Sequence, residues 1–193
     1  MTEDNVPIYL WDDKAELSEK EIYDANQKML ELQRHFSMAA EYVASSFSKM
    51  PEVVRIVLFG SVALPLVKEV PRFRKFQSAG IEIFHECRDV DLAVYLRTTG
   101  CLNALRKTRS EALNALFRET GIAVAHHQVD VFLFDSADGE YRGRLCIFGK
   151  CPKGKFVCKV KNCGIVPFLR QHEGFHFMYD SLRPENIREL YKG

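Results

Sequence analysis

Three aspartates stand in apolar surroundings where a carboxylate is costly. Asp89 and Asp91 alternate with Val90 and Leu92 in DVDLAVYL (89–96), and Asp130 sits in VDVFLF (129–134). Aspartate is depleted in strands, and an unpaired buried carboxylate costs several kcal/mol through desolvation. On an extended chain, side chains at i and i+2 share a face, so Asp89 and Asp91 would stand about 6–7 Å apart and repel. A divalent cation accounts for all three. Hard Mg2+ takes oxygen donors and commonly binds carboxylates together with phosphate oxygens. A further element, Leu58-Phe59-Gly60-Ser61, ends an apolar run on a glycine and a hydroxyl. Such a turn opens backbone N–H groups to a phosphate, and Ser61 adds a donor.

A second cluster is thiol-based. Cys146, Cys151, Cys158 and Cys163 are spaced x4, x6, x4, with Gly149, Gly154 and Gly164 for tight turns. In a reducing compartment, thiolates on so polar a segment point to structural Zn2+. Lys150, Lys153, Lys155, Lys159 and Lys161 would offset the site's negative charge. His172 is a rival fourth ligand in place of Cys146, which lies in the strand-like stretch RLCIF (144–148). Cys87 and Cys101 read as ordinary buried thiols, and His126 and His127 as packed or strand-end histidines.

The elements that must position these groups follow from periodicity. Ser18 and Glu21 form a capping box before apolar residues at 22, 25, 29, 32, 36, 39, 43 and 47, a long amphipathic helix that ends before Pro51. Val53 to Phe59 is β-branched and apolar, and predicts a buried strand. Strands are also expected over 81–84, 89–96, 122–125 and 128–134. A helix is expected over 102–120, stopped by Gly121. Strand, helix and strand alternate through 53–134, an α/β or α+β pattern with a mixed sheet flanked by helices. The expected organisation is an acidic lead (1–17), a main domain (18–140, with an insertion at 62–88) and a Cys-rich zinc-binding tail (141–193).

Composition sets outer bounds. The 193 residues are 47% apolar and 27% charged, enough to bury a core, and the net charge of +1 selects no partner. No run of about 20 apolar residues is present to span a bilayer, and the acidic start lacks a signal-peptide layout. A cytoplasmic protein with no membrane partner is expected.

Taken together, LFGS (58–61), DVDL (89–92) and VDV (129–131) resemble the DNA polymerase β-type nucleotidyltransferase superfamily, in the manner of a small single-domain bacterial or archaeal member. The resemblance covers roughly 53–134 and implies the nucleotidyltransferase fold. It also implies that Asp89 and Asp91 bind two Mg2+ ions carrying a nucleoside triphosphate. Asp130 would complete the metal site facing the attacking hydroxyl, and Gly60 and Ser61 would hold the triphosphate. The reaction implied is transfer of a nucleoside monophosphate, AMP first among the choices, to a hydroxyl acceptor. Without the large extra domains of polymerases, a small molecule or a protein is the favoured acceptor. A nucleic-acid partner is less favoured, since only Phe148 and Phe156 could stack bases in the basic tail. The alternative is a non-catalytic module of the same fold that binds a partner protein, nucleotide or nucleic acid. Two departures stand out: 27 residues separate Ser61 from Asp89, more than the superfamily places there, and Val62 stands where small members carry Arg. Arg72, Arg74 and Lys75 in that insertion are either phosphate contacts or a solvated loop.

Overall fold

Ser18 starts the first helix as its sequence predicts. Its hydroxyl accepts from the Glu21 amide at 3.3 Å, and the Glu21 carboxylate returns a 2.8 Å bond to the Ser18 amide, so two otherwise unpaired donors are satisfied. The helix α1 (Glu19–Phe47) buries Ile22, Met29, Phe36, Ala39, Val43 and Phe47 along one stripe. The computed structural model describes residues 18–67, 76, 78–148, 166–171 and 174–193. In chain order α1 is followed by β1 (Val53–Phe59), β2 (Val90–Leu96), α2 (Leu102–Thr120), β3 (Val129–Asp135), β4 (Tyr141–Leu145), β5 (Leu169–Arg170) and β6 (Arg188–Lys192).

The fold is α+β. The strands form one mixed sheet in the order β5-β4-β3-β2-β1-β6. Strands β2 and β3 are parallel, as a crossover through α2 requires, and the other neighbours are antiparallel. Gly121 ends α2 in the left-handed region at φ 76°, a conformation a Cβ would penalise. Strands β4, β5 and β6, all beyond residue 140, are continuous with the same sheet as β1–β3.

Alternation divides the sheet into two faces. Val90, Leu92, Val94, Val129, Val131 and Leu133 pack with α1 and α2 in the main core. Val57, Phe59, Ala93, Phe132 and Phe134 face the other way and are covered by Phe177, Leu182 and Ile187. The Phe177 ring lies 5.0–5.8 Å from Phe134, Tyr141, Phe132 and Phe59, mostly edge to face.

Two expected strands do not form. Of residues 81–84, only Phe84 makes a ladder contact, an isolated bridge to Val67. The Asn26 side chain on α1 donates to the Glu82 carbonyl at 2.7 Å and accepts from the Phe84 amide at 2.9 Å. A helix side chain thus satisfies backbone groups that a neighbouring strand would otherwise take. Residues 122–125 are also irregular. They run from the Gly121 cap into a 3-10 turn at His126–Gln128, and the Gln128 side chain bonds the Ala125 amide at 3.0 Å. No helix among the described residues is long and apolar enough to cross a membrane.

Candidate functional site

Asp91 on β2 and Asp130 on β3 are register partners across the parallel ladder. Both lie on the face away from the helices, because Val90, Leu92, Val129 and Val131 take the helix face. Two like charges on adjacent strands, with about 4.8 Å between strands, cannot avoid each other. Asp89 lies just before β2 and is exposed. On the other flank Phe59 opposes Asp91 in the antiparallel pairing with β1. Gly60 follows at φ +75°, and a Cβ there would collide with the Asp91 carboxylate. Glycine at this position is therefore required twice, by the backbone angle and by the approach of Asp91.

The electrostatics follow from this crowding. Asp91 is half-buried, and desolvation, followed by the charges of Asp130 and Asp89, pushes its carboxyl from 3.8 up to about 7. Asp89 is raised too, chiefly by desolvation and then by Asp130, against the opposing charges of Arg144, His127 and Arg88. The group relieving Asp130 is Arg144 on β4, whose Nη1 donates to Asp130 Oδ2 at 2.7 Å. The Arg144 guanidinium lies over the Phe132 ring at 4.3 Å and the Phe175 ring at 5.3 Å. Its Nε is buried with no hydrogen-bond partner among the described residues.

Ser61 sits in the 3-10 turn Gly60–Val62 after β1. Its carbonyl accepts from Gln33 Nε2 on α1 at 3.2 Å, and the same amide reaches the Leu64 carbonyl at 2.7 Å, which ties the turn to the helix. Burial raises the pKa of the Cys87 thiol, against a smaller lowering effect of the nearby Ser61 hydroxyl. Gly60, Asp89, Asp91 and Asp130 thus converge on one end of the sheet.

Cys87 and Cys101 are buried free thiols, in line with the sequence reading. Cys146 is also buried and free, directly after β4, with its amide donating to the Phe168 carbonyl at 2.8 Å. Cys151, Cys158, Cys163 and His172 lie outside the described residues, as do Arg72, Arg74 and Lys75. His126 and His127 occupy the exposed turn before β3.

Two arginines escaped the sequence reading. Arg144 sits in YRGRL, whose glycine and paired arginines do not look like a buried-face strand. Arg109 is 1% exposed on α2, where its Nη atoms donate to the Val129 carbonyl at 3.3 Å and the Cys146 carbonyl at 3.2 Å. Desolvation lowers its pKa to about 10. A signal was present: Arg109 falls on the apolar stripe Leu105–Ala112–Leu116, where a cation must find partners or leave the core.

Among the described residues, no three His, Cys, Asp or Glu side chains are gathered closely enough to hold a metal as they stand. The donor chemistry nevertheless suits a hard cation. Three carboxylates supply oxygen ligands, and the pKa of Asp91 is raised by desolvation first and then by the charges of Asp130 and Asp89. Comparison of the chain with protein-family models, curated proteins and solved structures found no match.

Proposed function

We propose that this protein is a nucleotidyltransferase that moves a nucleoside monophosphate, AMP first among the candidates, from a triphosphate to a hydroxyl acceptor. One observation carries the reading: Asp91 and Asp130 are paired on adjacent strands beside a turn in which Gly60 takes a left-handed φ close against Asp91. Clustering carboxylates raises the energy of the free protein, so a binding role for a cationic or metal-bound substrate is a direct rationale for keeping them. Asp89, Asp91 and Asp130 would hold Mg2+, which when bound supplies charge neutralisation for the triphosphate and acidifies the attacking hydroxyl.

The chain's own groups supply the rest. Asp130 accepts the proton of the acceptor hydroxyl or orients it, while Asp89 and Asp91 would supply carboxylate oxygens to the cation that the triphosphate carries. Backbone N–H groups at Gly60 and Ser61 donate to phosphate oxygens as pyrophosphate leaves. The Cys-rich segment would carry structural Zn2+ at Cys151, Cys158 and Cys163, with Cys146 or His172 as the fourth ligand, apart from the transfer chemistry.

A second reading is favoured by the Arg144–Asp130 ion pair, which neutralises one carboxylate from within the protein. On that reading the fold is a non-catalytic module that binds a partner protein, nucleotide or nucleic acid. Isothermal titration with ATP, GTP, CTP and UTP, with and without Mg2+, tests the triphosphate site, with Asp89→Asn and Asp130→Asn as controls, and pyrophosphate release separates transfer from nucleotide binding alone. Metal-dependent binding lost in Asp89→Asn supports the transferase. No binding of any triphosphate by the folded, zinc-replete protein removes it in favour of the module.

A further inference from the structure

The ion pair that speaks for the second reading also has a role within the first. Arg144 donates to Asp130 at 2.7 Å, and its flat guanidinium is held over the rings of Phe132 and Phe175. With side chains 24% and 20% exposed, the pair is partly withdrawn from water, so its attraction is screened less than at a surface. Asp91, directly across the ladder from Asp130, has no such partner among the described residues, and Asp89 also lies close enough to raise it. The direct ion pair therefore engages only the Asp130 member of the three-carboxylate set among the described residues. A divalent cation seated between Asp91 and Asp130 would compete with Arg144 for the Asp130 carboxylate.

We propose that Arg144 is a built-in counter-ion for Asp130 that a divalent cation must displace to enter the site. The inference rests on the same three carboxylates as the proposed function but needs no nucleotide. In the free protein Arg144 limits the repulsion between Asp91 and Asp130 and lets the sheet close. When a cation arrives, the Arg144–Asp130 bond breaks and the cation takes over its neutralising role. The two phenyl faces keep the released guanidinium at the site, where an incoming anionic group would meet its donors. The buried Nε, without a hydrogen-bond partner among the described residues, is consistent with a side chain that has a second arrangement to satisfy.

The test is Mn2+ alone, titrated into the full chain at pH 8 and followed by electron paramagnetic resonance of the free ion. Wild type is compared with Arg144→Met, Arg144→Lys, Asp130→Asn and the double variant Arg144→Met/Asp130→Asn, each checked for folding by circular dichroism. Arg144→Gln replaces Arg144→Met if the latter does not fold. Removing a unit positive charge a few ångströms from a divalent ion should tighten Mn2+ binding about tenfold or more. Arg144→Lys, which keeps the charge, should bind close to wild type. The gain should vanish in the Asp130→Asn background, because the competition is for that carboxylate. Unchanged or weaker Mn2+ binding in Arg144→Met, an equal gain without Asp130, or no Mn2+ binding by any variant overturns the proposal. A wild type that binds Mn2+ but no triphosphate removes the transferase reading while the displacement stands on the Mn2+ comparison.

Discussion

Replacing Asp91 with Asn probes the electrostatics of the carboxylate cluster through stability alone, with no substrate. The folded Asp91 carboxyl is raised from 3.8 to about 7 by desolvation and by Asp130 and Asp89, with Arg144 opposing. A raised carboxyl means that the folded state holds a proton the unfolded chain releases. Stability from this group is therefore lost as pH rises from about 4 to about 7, and the full cost persists above that. Three units at 1.36 kcal/mol each give a cost of up to about 4 kcal/mol at pH 8. Asn mimics the protonated acid and avoids it. The Asp91→Asn variant should then be more stable than wild type at pH 8, by up to about 4 kcal/mol or on the order of 10 °C in Tm for a chain of this size. The advantage should shrink steadily and disappear near pH 4. Urea unfolding at half-unit pH intervals measures it. Mg2+ at pH 8 should raise the melting temperature of wild type and leave Asp91→Asn nearly unmoved, because ligand binding stabilises only the state that binds. A constant offset between the two proteins across the pH range, or an Asn variant less stable at pH 8, would refute the reasoning.

Three further outcomes are expected. Gly60→Ala combines a left-handed φ with a Cβ that meets Asp91, and should cost about 2 kcal/mol in urea unfolding while weakening Mn2+ binding. Arg109→Ala leaves the Val129 and Cys146 carbonyls without their donor and opens a cavity, at about 3–5 kcal/mol; Arg109→Met fills the space and should cost less than half as much by thermal melting. Elemental analysis of the purified chain should find about one zinc per molecule, falling severalfold in Cys151→Ser and Cys158→Ser with loss of thermal stability.

Much of the frame was legible because burial imposes a period on the sequence. The 3.6-residue stripe of α1, the capping box at Ser18 and the apolar run of β1 gave correct elements. So did the alternation in β2 and β3, which set Asp91 and Asp130 against apolar neighbours, although only the register put the two on one face. The failures have local causes. Ile81–Phe84 carries a strand composition, yet Asn26, a residue of α1 distant in sequence, takes up its backbone groups. Val124 is buried in irregular chain rather than a strand, and burial alone does not distinguish the two. Strand β6, RELYK, was invisible because an exposed edge strand needs no apolar alternation. Arg144 could not be read as part of the site, since its meaning lies in a cross-strand neighbour that only the β3–β4 register reveals.

The placement of β6 also has a consequence for how the protein is made. Strand β1 lies between β2 and β6, and its contact with β6, such as the 2.7 Å pair of Arg55 with Glu189, joins residues 134 positions apart. At ribosomal speeds of 5–20 residues per second, on the order of ten seconds pass between the emergence of these two segments. Throughout that interval VVRIVLF, a segment of high strand propensity, presents one open edge of backbone donors and acceptors. The nascent chain therefore carries a segment at β1 that is prone to misassociate. Translation past residues 188–192, rather than completion of the core on the helix face, marks the moment at which that hazard ends.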